Sequence, residues 1–338
     1  MTGLQVAWFV IAAGLVAVYA ILDGFDLGIG VLGPALARTA GQRAMLHRTV
    51  GPVWDGNEVW LIIIGGVMFA AFPPVYATVL SGFYLVFMLV FFGLIFRATA
   101  LGLHYGRSLD APAWRAAFWG GSLIPAFFLG LVAGNLIRGV QLSSTGDFAG
   151  SLGSLFGPFA VATAILSLAM FANQGAAWAT LKTTGELHTR AAKVRRATGW
   201  VLLLLLALVT LYALWAASAH VSDLVRRPLG WVAVALAVCG ILYQQVASWR
   251  SDDRGAFVGA SVAVMGLVAI WAVGTFPAIV RASNDEGLSL TVAGASASSS
   301  TLRAMTVVAA IGIPVVAACA LFAYRVFRGR VDKTGEGY

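Results

Sequence analysis

Apolar residues fill long unbroken runs along this chain, separated by short polar stretches that carry most of its charge. A bilayer core about 30 Å thick takes about 20 such residues to cross as a helix. Nine runs are of that order: roughly Leu4 to Leu22, Val50 to Phe72, Val75 to Phe96, Ala116 to Ile137, Leu152 to Thr180, Thr198 to Ala217, Leu229 to Ala247, Ala256 to Val280 and Met305 to Phe327. They are continuously apolar rather than alternating, which predicts helices and not barrel strands. Pro73-Pro74 predicts a tight turn between the second and third. The first helix is free to continue through Asp23-Gly24-Phe25-Asp26-Leu27-Gly28, because nothing breaks it before Gly33-Pro34.

Composition sharpens this reading. Only 11% of the 338 residues are charged and 60% are hydrophobic, whereas soluble domains carry about 25% charged residues. That excludes an ordinary soluble domain, a disordered chain and a nucleic-acid-binding module. The net charge of +8 becomes a topology signal, since the basic residues sit between the apolar runs. Seventeen fall on one side: Arg38, Arg43, Arg48, Arg97, Arg107, Arg115, Lys182, Arg190, Lys193, Arg195, Arg196, Arg250, Arg254, Arg325, Arg328, Arg330 and Lys333. The other side holds five, Arg138, Arg226, Arg227, Arg281 and Arg303. The richer side is predicted to be cytoplasmic. This puts the amino terminus outside and the carboxyl terminus inside, as nine spans require. Trp114, Trp178, Trp200, Trp215, Trp231 and Trp249 fall near predicted helix ends, where indoles favour the interface. No basic region precedes the first run, so a cleaved signal is not expected. The expected organisation is all-α: one integral membrane domain over residues 1–338, with 328–338 as a short solvated cytoplasmic tail.

Acids inside apolar runs cost about 2.5–3.5 kcal/mol each on insertion scales and call for a reason. Asp23 and Asp26 stand at i, i+3 on the first helix, and Asp55 and Glu58 repeat that spacing on the second. All four fall toward the cytoplasmic half of neighbouring helices. One reading is a proton route, because closely spaced carboxyl groups in a low-dielectric setting cannot all ionise. The structural alternative pairs these acids with Arg97 or with backbone amides.

Equipment for electron transfer is missing from the sequence. His47, His104, His188 and His220 all fall in connections or at helix ends, whereas a haem between helices needs a ligand deep in the bundle. Cys239 and Cys319 are too few for an iron–sulfur cluster and lack the spacing of a zinc site. No metal site is expected. Asn135, Asn173 and Gln174 suit hydrogen bonds between helices, and Gly28-Ile29-Gly30 and Gly65-Gly66 suit close helix approach.

At these motifs a resemblance enters. Asp23-Gly24-Phe25-Asp26-Leu27-Gly28-Ile29-Gly30, followed by Trp54-Asp55-Gly56-Asn57-Glu58-Val59-Trp60-Leu61, closely resembles subunit II of bacterial cytochrome bd-type quinol oxidases. The likeness runs on through Phe69-Ala70-Ala71-Phe72-Pro73, Ser81-Gly82-Phe83-Tyr84, Gly134-Asn135-Leu136, Lys182-Thr183-Thr184-Gly185-Glu186-Leu187 and Ser300-Thr301-Leu302. It implies a heterodimer in the bacterial plasma (inner) membrane whose subunit I carries two b-type haems, one d-type haem and the quinol site. The complex oxidises quinol, reduces dioxygen to water with cytoplasmic protons, and builds a potential without pumping. The resemblance further implies two four-helix bundles plus one peripheral helix for this chain, with no haem of its own. Asp23 and Asp55 match acids of the cytoplasmic proton path, and Asp26 and Glu58 accompany them, although the family often has Gln at the position of Glu58. Trp60 matches an aromatic position tied to oxygen access; Trp54 and Asn57 flank it, as candidates for oxygen access or subunit contact. A structural quinone or lipid in this subunit and small single-helix accessory subunits belong to the same picture. Two other readings compete: a secondary transporter with its ion site at the same acids, and a purely structural membrane partner.

Overall fold

The computed structural model describes residues 1–102 and 111–331; His104, Arg107 and Lys333 lie outside the described residues. The helices are α1 (Gly3–Leu36), α2 (Ala40–Val50), α3 (Trp54–Ala71), α4 (Pro73–Gly82), α5 (Tyr84–Gly102), α6 (Pro112–Arg138), α7 (Pro158–Lys182), α8 (Gly185–Ala216), α9 (Ser218–Arg226), α10 (Pro228–Trp249), α11 (Asp253–Thr275), α12 (Val292–Ala295) and α13 (Ser299–Val326). Two short strands, β1 (Ala278–Val280) and β2 (Leu290–Thr291), pair antiparallel. Among the described residues eight helices are long and apolar enough to cross a membrane, or nine if α2 and α3, which meet at 48°, count as one span. The chain is an all-α, multi-pass membrane protein.

Several element boundaries depart from the hydropathy pattern, each for a local reason. The first helix runs past Pro34 to Leu36; a proline so near the end removes one hydrogen bond of the last turns without stopping them. The second span begins at Trp54 rather than Val50, because Gly51 and Pro52 interrupt the helix. The third run is divided at Phe83, which separates α4 from α5. Leu152–Phe156 forms a separate 3-10 turn, and Pro158 then starts α7 at a position where its missing N–H costs nothing. The eighth run leaves the helix at Thr275, so its last residues supply β1. Helix α9 is polar overall and leaves no mark in the pattern of apolar runs.

Helix α1 lies at the centre, packed against α3, α6, α7, α11 and α13. Its stretch from Asp23 to Gly30 is buried on every face. Helices α7, α8, α10 and α11 pack in a closed cycle, α5 and α6 pair beside α1, and α13 touches α1 and α3 along one edge. Only Leu302 of α13 is buried. Helix α1 approaches α7 closely at Gly28 and Gly175. A Cβ built on Gly28 would overlap the Phe171 carbonyl oxygen and come within 2.7 Å of the Gly175 nitrogen.

Three expectations change here. Arg97 and Arg195, counted as flanking charges, are both buried in ion pairs, Arg195 with Asp253 at 2.9 Å. Trp178 is not an interfacial indole: it is buried and stacks on Phe25 with ring centres 4.0 Å apart. The first residues of the tail also dock instead of dissolving. Lys182 Nζ donates to the carbonyl oxygen of Phe327 at 2.5 Å, the Val331 amide donates to that of Lys182 at 2.8 Å, and Arg330 pairs with Asp253 at 2.9 Å. Polar carbonyls and charges left at the ends of α7 and α11 explain why this segment, basic in sequence, is held.

At the opposite end the loops after α6 and α11 lock together. The Val140 amide donates to the Arg281 carbonyl at 2.9 Å, and Asn284 exchanges hydrogen bonds with the Leu142 backbone at 3.0 and 2.8 Å. Beside this cap, His220 of α9 is buried against Gly274, near Arg281, which pairs with Asp223 at 2.6 Å. Burial, and then the Arg281 charge, push the His220 imidazole down to about 4. An unfolded histidine titrates near 6.5. Between those values the opened segment binds a proton that the packed one refuses, so packing weakens as pH falls through this window and is unaffected above it. Protection factors for amide exchange over residues 218–227, taken against the intrinsic rate at each pH, are therefore expected to fall between pH 7 and pH 4.5, and to fall less in His220→Gln. Equal acid sensitivity in that variant assigns the effect to another group.

Candidate functional site

The acids of the first two helices are brought together by helix geometry. Asp23 and Asp26 project from one face of α1, and Tyr19 lies one turn earlier on the same face, all three buried. Helix α3 presents Asn57 and Glu58 to that face, and α5 supplies Arg97, which is fully buried. One guanidinium nitrogen of Arg97 donates to Asp23 Oδ1 at 2.6 Å and to Glu58 Oε1 at 2.5 Å. Asn57 Nδ2 donates to Asp26 Oδ2 at 2.8 Å and to the Leu22 carbonyl at 3.2 Å. The hydroxyl of Tyr324, from α13, donates to Asn57 Oδ1 at 2.7 Å. Four helices thus meet at one polar cluster inside an apolar shell.

The cluster is incompletely satisfied. Asp23 Oδ2, Asp26 Oδ1, and Nε and the second terminal nitrogen of Arg97 have no hydrogen-bond partner among the described residues. Glu58 is the member that reaches the surface, its side chain 22% exposed. Asp55 stands apart. It is exposed in the first turn of α3, one turn before Glu58, where a negative charge suits the helix dipole. Trp54 is half-buried; Trp60 is buried in the core that α1 and α3 share, its indole N–H without an acceptor among the described residues.

The structure therefore groups Asp23, Asp26, Glu58, Asn57 and Arg97 and leaves Asp55, Trp54 and Trp60 outside the hydrogen-bonded set. Two members escaped the sequence reading. Tyr19 carries only the weak signal of lying one turn from Asp23. Tyr324 is 267 residues from Asn57, and no local pattern marks it.

Elsewhere, buried polar groups serve helix packing. Asn173 and Gln244 exchange hydrogen bonds at 2.8 and 2.7 Å, Gln174 donates to Ser261 at 3.0 Å, and Asn135 holds the Leu155 carbonyl at 2.8 Å. The described histidines do not fit a haem held by this chain. His188 is committed to Asp253 at 2.8 Å, His47 sits against Phe118, and His220 lies in α9 beside the polar cap. Among the described residues no three His, Cys, Asp or Glu side chains converge on a point where a metal could sit.

Residues 4–327 match the family described as cytochrome bd terminal oxidase subunit II. The chain belongs to that family. It is 30% identical over 368 aligned positions to cytochrome bd-I ubiquinol oxidase subunit 2 of Escherichia coli strain K12, covering 98% of this chain and 96% of that one. Identity to cytochrome bd ubiquinol oxidase subunit 2 of Bacillus subtilis is 31%, with 98% of both chains covered. The fold matches a chain in the structure of bd oxidase from Geobacillus thermodenitrificans with a TM-score of 0.79, at 17% identity, over 96% of this chain and 99% of that one. As a bd oxidase subunit II, this chain is part of a terminal quinol oxidase, an oxidoreductase complex of the respiratory chain. Its family implies a subunit I as partner and haem in the complex, mainly in that partner.

Proposed function

We propose that this chain is the haem-free half of the oxidase, supporting subunit I and supplying cytoplasmic protons to the oxygen-reducing site through its buried carboxyl cluster. The observation that carries the reading is a single buried Arg97 placed between Asp23 and Glu58, with Asp26 beside them. Three carboxyl groups near one guanidinium make a cluster that, fully ionised, would bury net negative charge at high cost. Such a cluster is suited to keep a proton and hand it on. Glu58, reaching the surface, and Asp55, exposed one turn away, are the acids able to exchange with outside groups. Trp60 and its apolar neighbours line a candidate route for dioxygen, with Trp54 at its edge. Haem d and the two b haems belong to subunit I; quinol is the substrate, with a structural quinone, lipid or small accessory subunit as further companions of the complex.

The same reading assigns α7, α8, α10 and α11 to one four-helix bundle and α1, the bent α2–α3 span, α4–α5 and α6 to the other, with α13 peripheral; their packing supports this. Arg138, Arg226, Arg227, Arg281 and Arg303 cluster about the capped end, which supports an outside amino terminus and a cytoplasmic tail. The bacterial inner membrane is the compartment that fits.

The test is Asp26→Asn in the assembled complex. Quinol-driven oxygen consumption is expected to fall about a hundredfold or more, the size of a lost proton-transfer group, with haem absorbance unchanged. Undiminished turnover in both Asp23→Asn and Asp26→Asn would leave only the supporting role.

A further inference from the structure

We propose that Tyr324 is a positioning residue that fixes the Asn57 amide with its NH2 group toward Asp26, leaving Asp26 Oδ1 as the atom that takes up and gives away the proton. This rests on the proton-supply reading of the cluster and specifies one atom within it.

The argument starts from the hydrogen-bond inventory. An amide side chain has an accepting end and a donating end. The Leu22 carbonyl, 3.2 Å from Asn57 Nδ2, only accepts, so the group facing it is the NH2. That NH2 spends its second hydrogen on Asp26 Oδ2 at 2.8 Å. The accepting end, Oδ1, takes the Tyr324 hydroxyl at 2.7 Å. Turning the amide over would set its oxygen against the Leu22 carbonyl and Asp26 Oδ2, two acceptors, and lose both of those bonds. Only the Tyr324 hydroxyl, which can also accept, would keep a partner. Asp26 Oδ2 is thereby committed to accepting, while Oδ1 is buried without a partner among the described residues. A proton on this carboxyl group therefore resides on Oδ1.

Tyr324 is itself held. Its ring meets Phe25 and Trp178 edge-on, at centre distances of 6.4 and 6.1 Å. The end of α13 just beyond it is tied down by Lys182 on the Phe327 carbonyl and by Arg330 on Asp253. Helix α13, almost without buried residues of its own, thus reaches the carboxyl cluster through the Tyr324 hydroxyl.

The test uses the assembled complex and infrared difference spectroscopy in the carboxyl and carboxylate stretching regions. Asp26→Asn assigns the band by removing it; Asp26→Glu, which moves it, serves if the first variant does not assemble. The expected result is that Tyr324→Phe displaces the Asp26 band, that Asn57→Ala displaces it too, and that the double variant adds nothing further. Oxygen consumption in Tyr324→Phe is expected to fall about fivefold, the equivalent of one ordinary hydrogen bond, at unchanged haem content. An Asp26 band at its native position in Tyr324→Phe overturns the proposal, as does a displacement that Asn57→Ala fails to reproduce. A displaced band together with native turnover in Asp26→Asn keeps the positioning of Asn57 and overturns the assignment of proton traffic to Oδ1.

Discussion

Arg97→Leu is expected to prevent stable accumulation of the oxidase complex, seen as loss of haem absorbance in membranes carrying the variant. Among the described residues Arg97 is the only cation bonded to Asp23 and Glu58, and it is fully buried. Removing one partner of a buried ion pair costs about 3–5 kcal/mol because the other charge is left uncompensated, and here two carboxyl groups lose their partner together. Such a loss is comparable to the whole stability of many domains, about 5–15 kcal/mol. Adding Asp23→Leu to Arg97→Leu is expected to recover part of the yield, since apolar replacements of a whole buried pair are tolerated better than its halves. If Arg97→Leu accumulates at the native level with the native melting temperature, the ion pairs contribute little to stability.

Gly28→Leu should be nearly as damaging, through packing instead of charge. At this crossing the backbones of α1 and α7 are in contact: a Cβ on Gly175 would come within 2.5 Å of the Ile29 nitrogen. A side chain at either position has to push two central helices apart, and overpacking a tight core costs about 1–3 kcal/mol or more. The displaced segment is Asp23 to Gly30, so the carboxyl cluster moves with it. Thermal unfolding of the complex should shift down steeply in Gly28→Leu, while Gly65→Ala, which would meet no atom within 4 Å, should leave it unchanged. Equal melting temperatures for the two variants would mean that the crossing is loose.

Much of this architecture is legible in the chain because a membrane span declares itself by length and hydropathy alone. The acids of the site are legible for the same reason: Asp23, Asp26 and Glu58 interrupt apolar sequence, and each has a structural partner. What stays hidden depends on distance along the chain. Arg97, at the end of an apolar run, reads either as a flanking charge or as a partner of these acids, and packing of α5 against α6 decides for the partner. Arg195 has the sequence position of a flanking charge, because its partner Asp253 arrives 58 residues later. Trp178 has the sequence position of an interfacial indole, yet the stack on Phe25 is a tertiary fact. Tyr324 offers no signal at all. The broken runs around Gly51-Pro52 and Phe83 escaped for a different reason: hydropathy averaged over a span is blind to a bend within it.

The docked segment from Phe327 to Val331 has a bearing on biosynthesis. Asp253 receives Arg330, and Lys182 receives the Phe327 carbonyl, only after every helix from α1 to α13 has been made. Asn57 likewise waits for Tyr324. Helices inserted early must therefore rest in the bilayer with these contacts unmade, until the segment from Tyr324 to Arg330 makes all three.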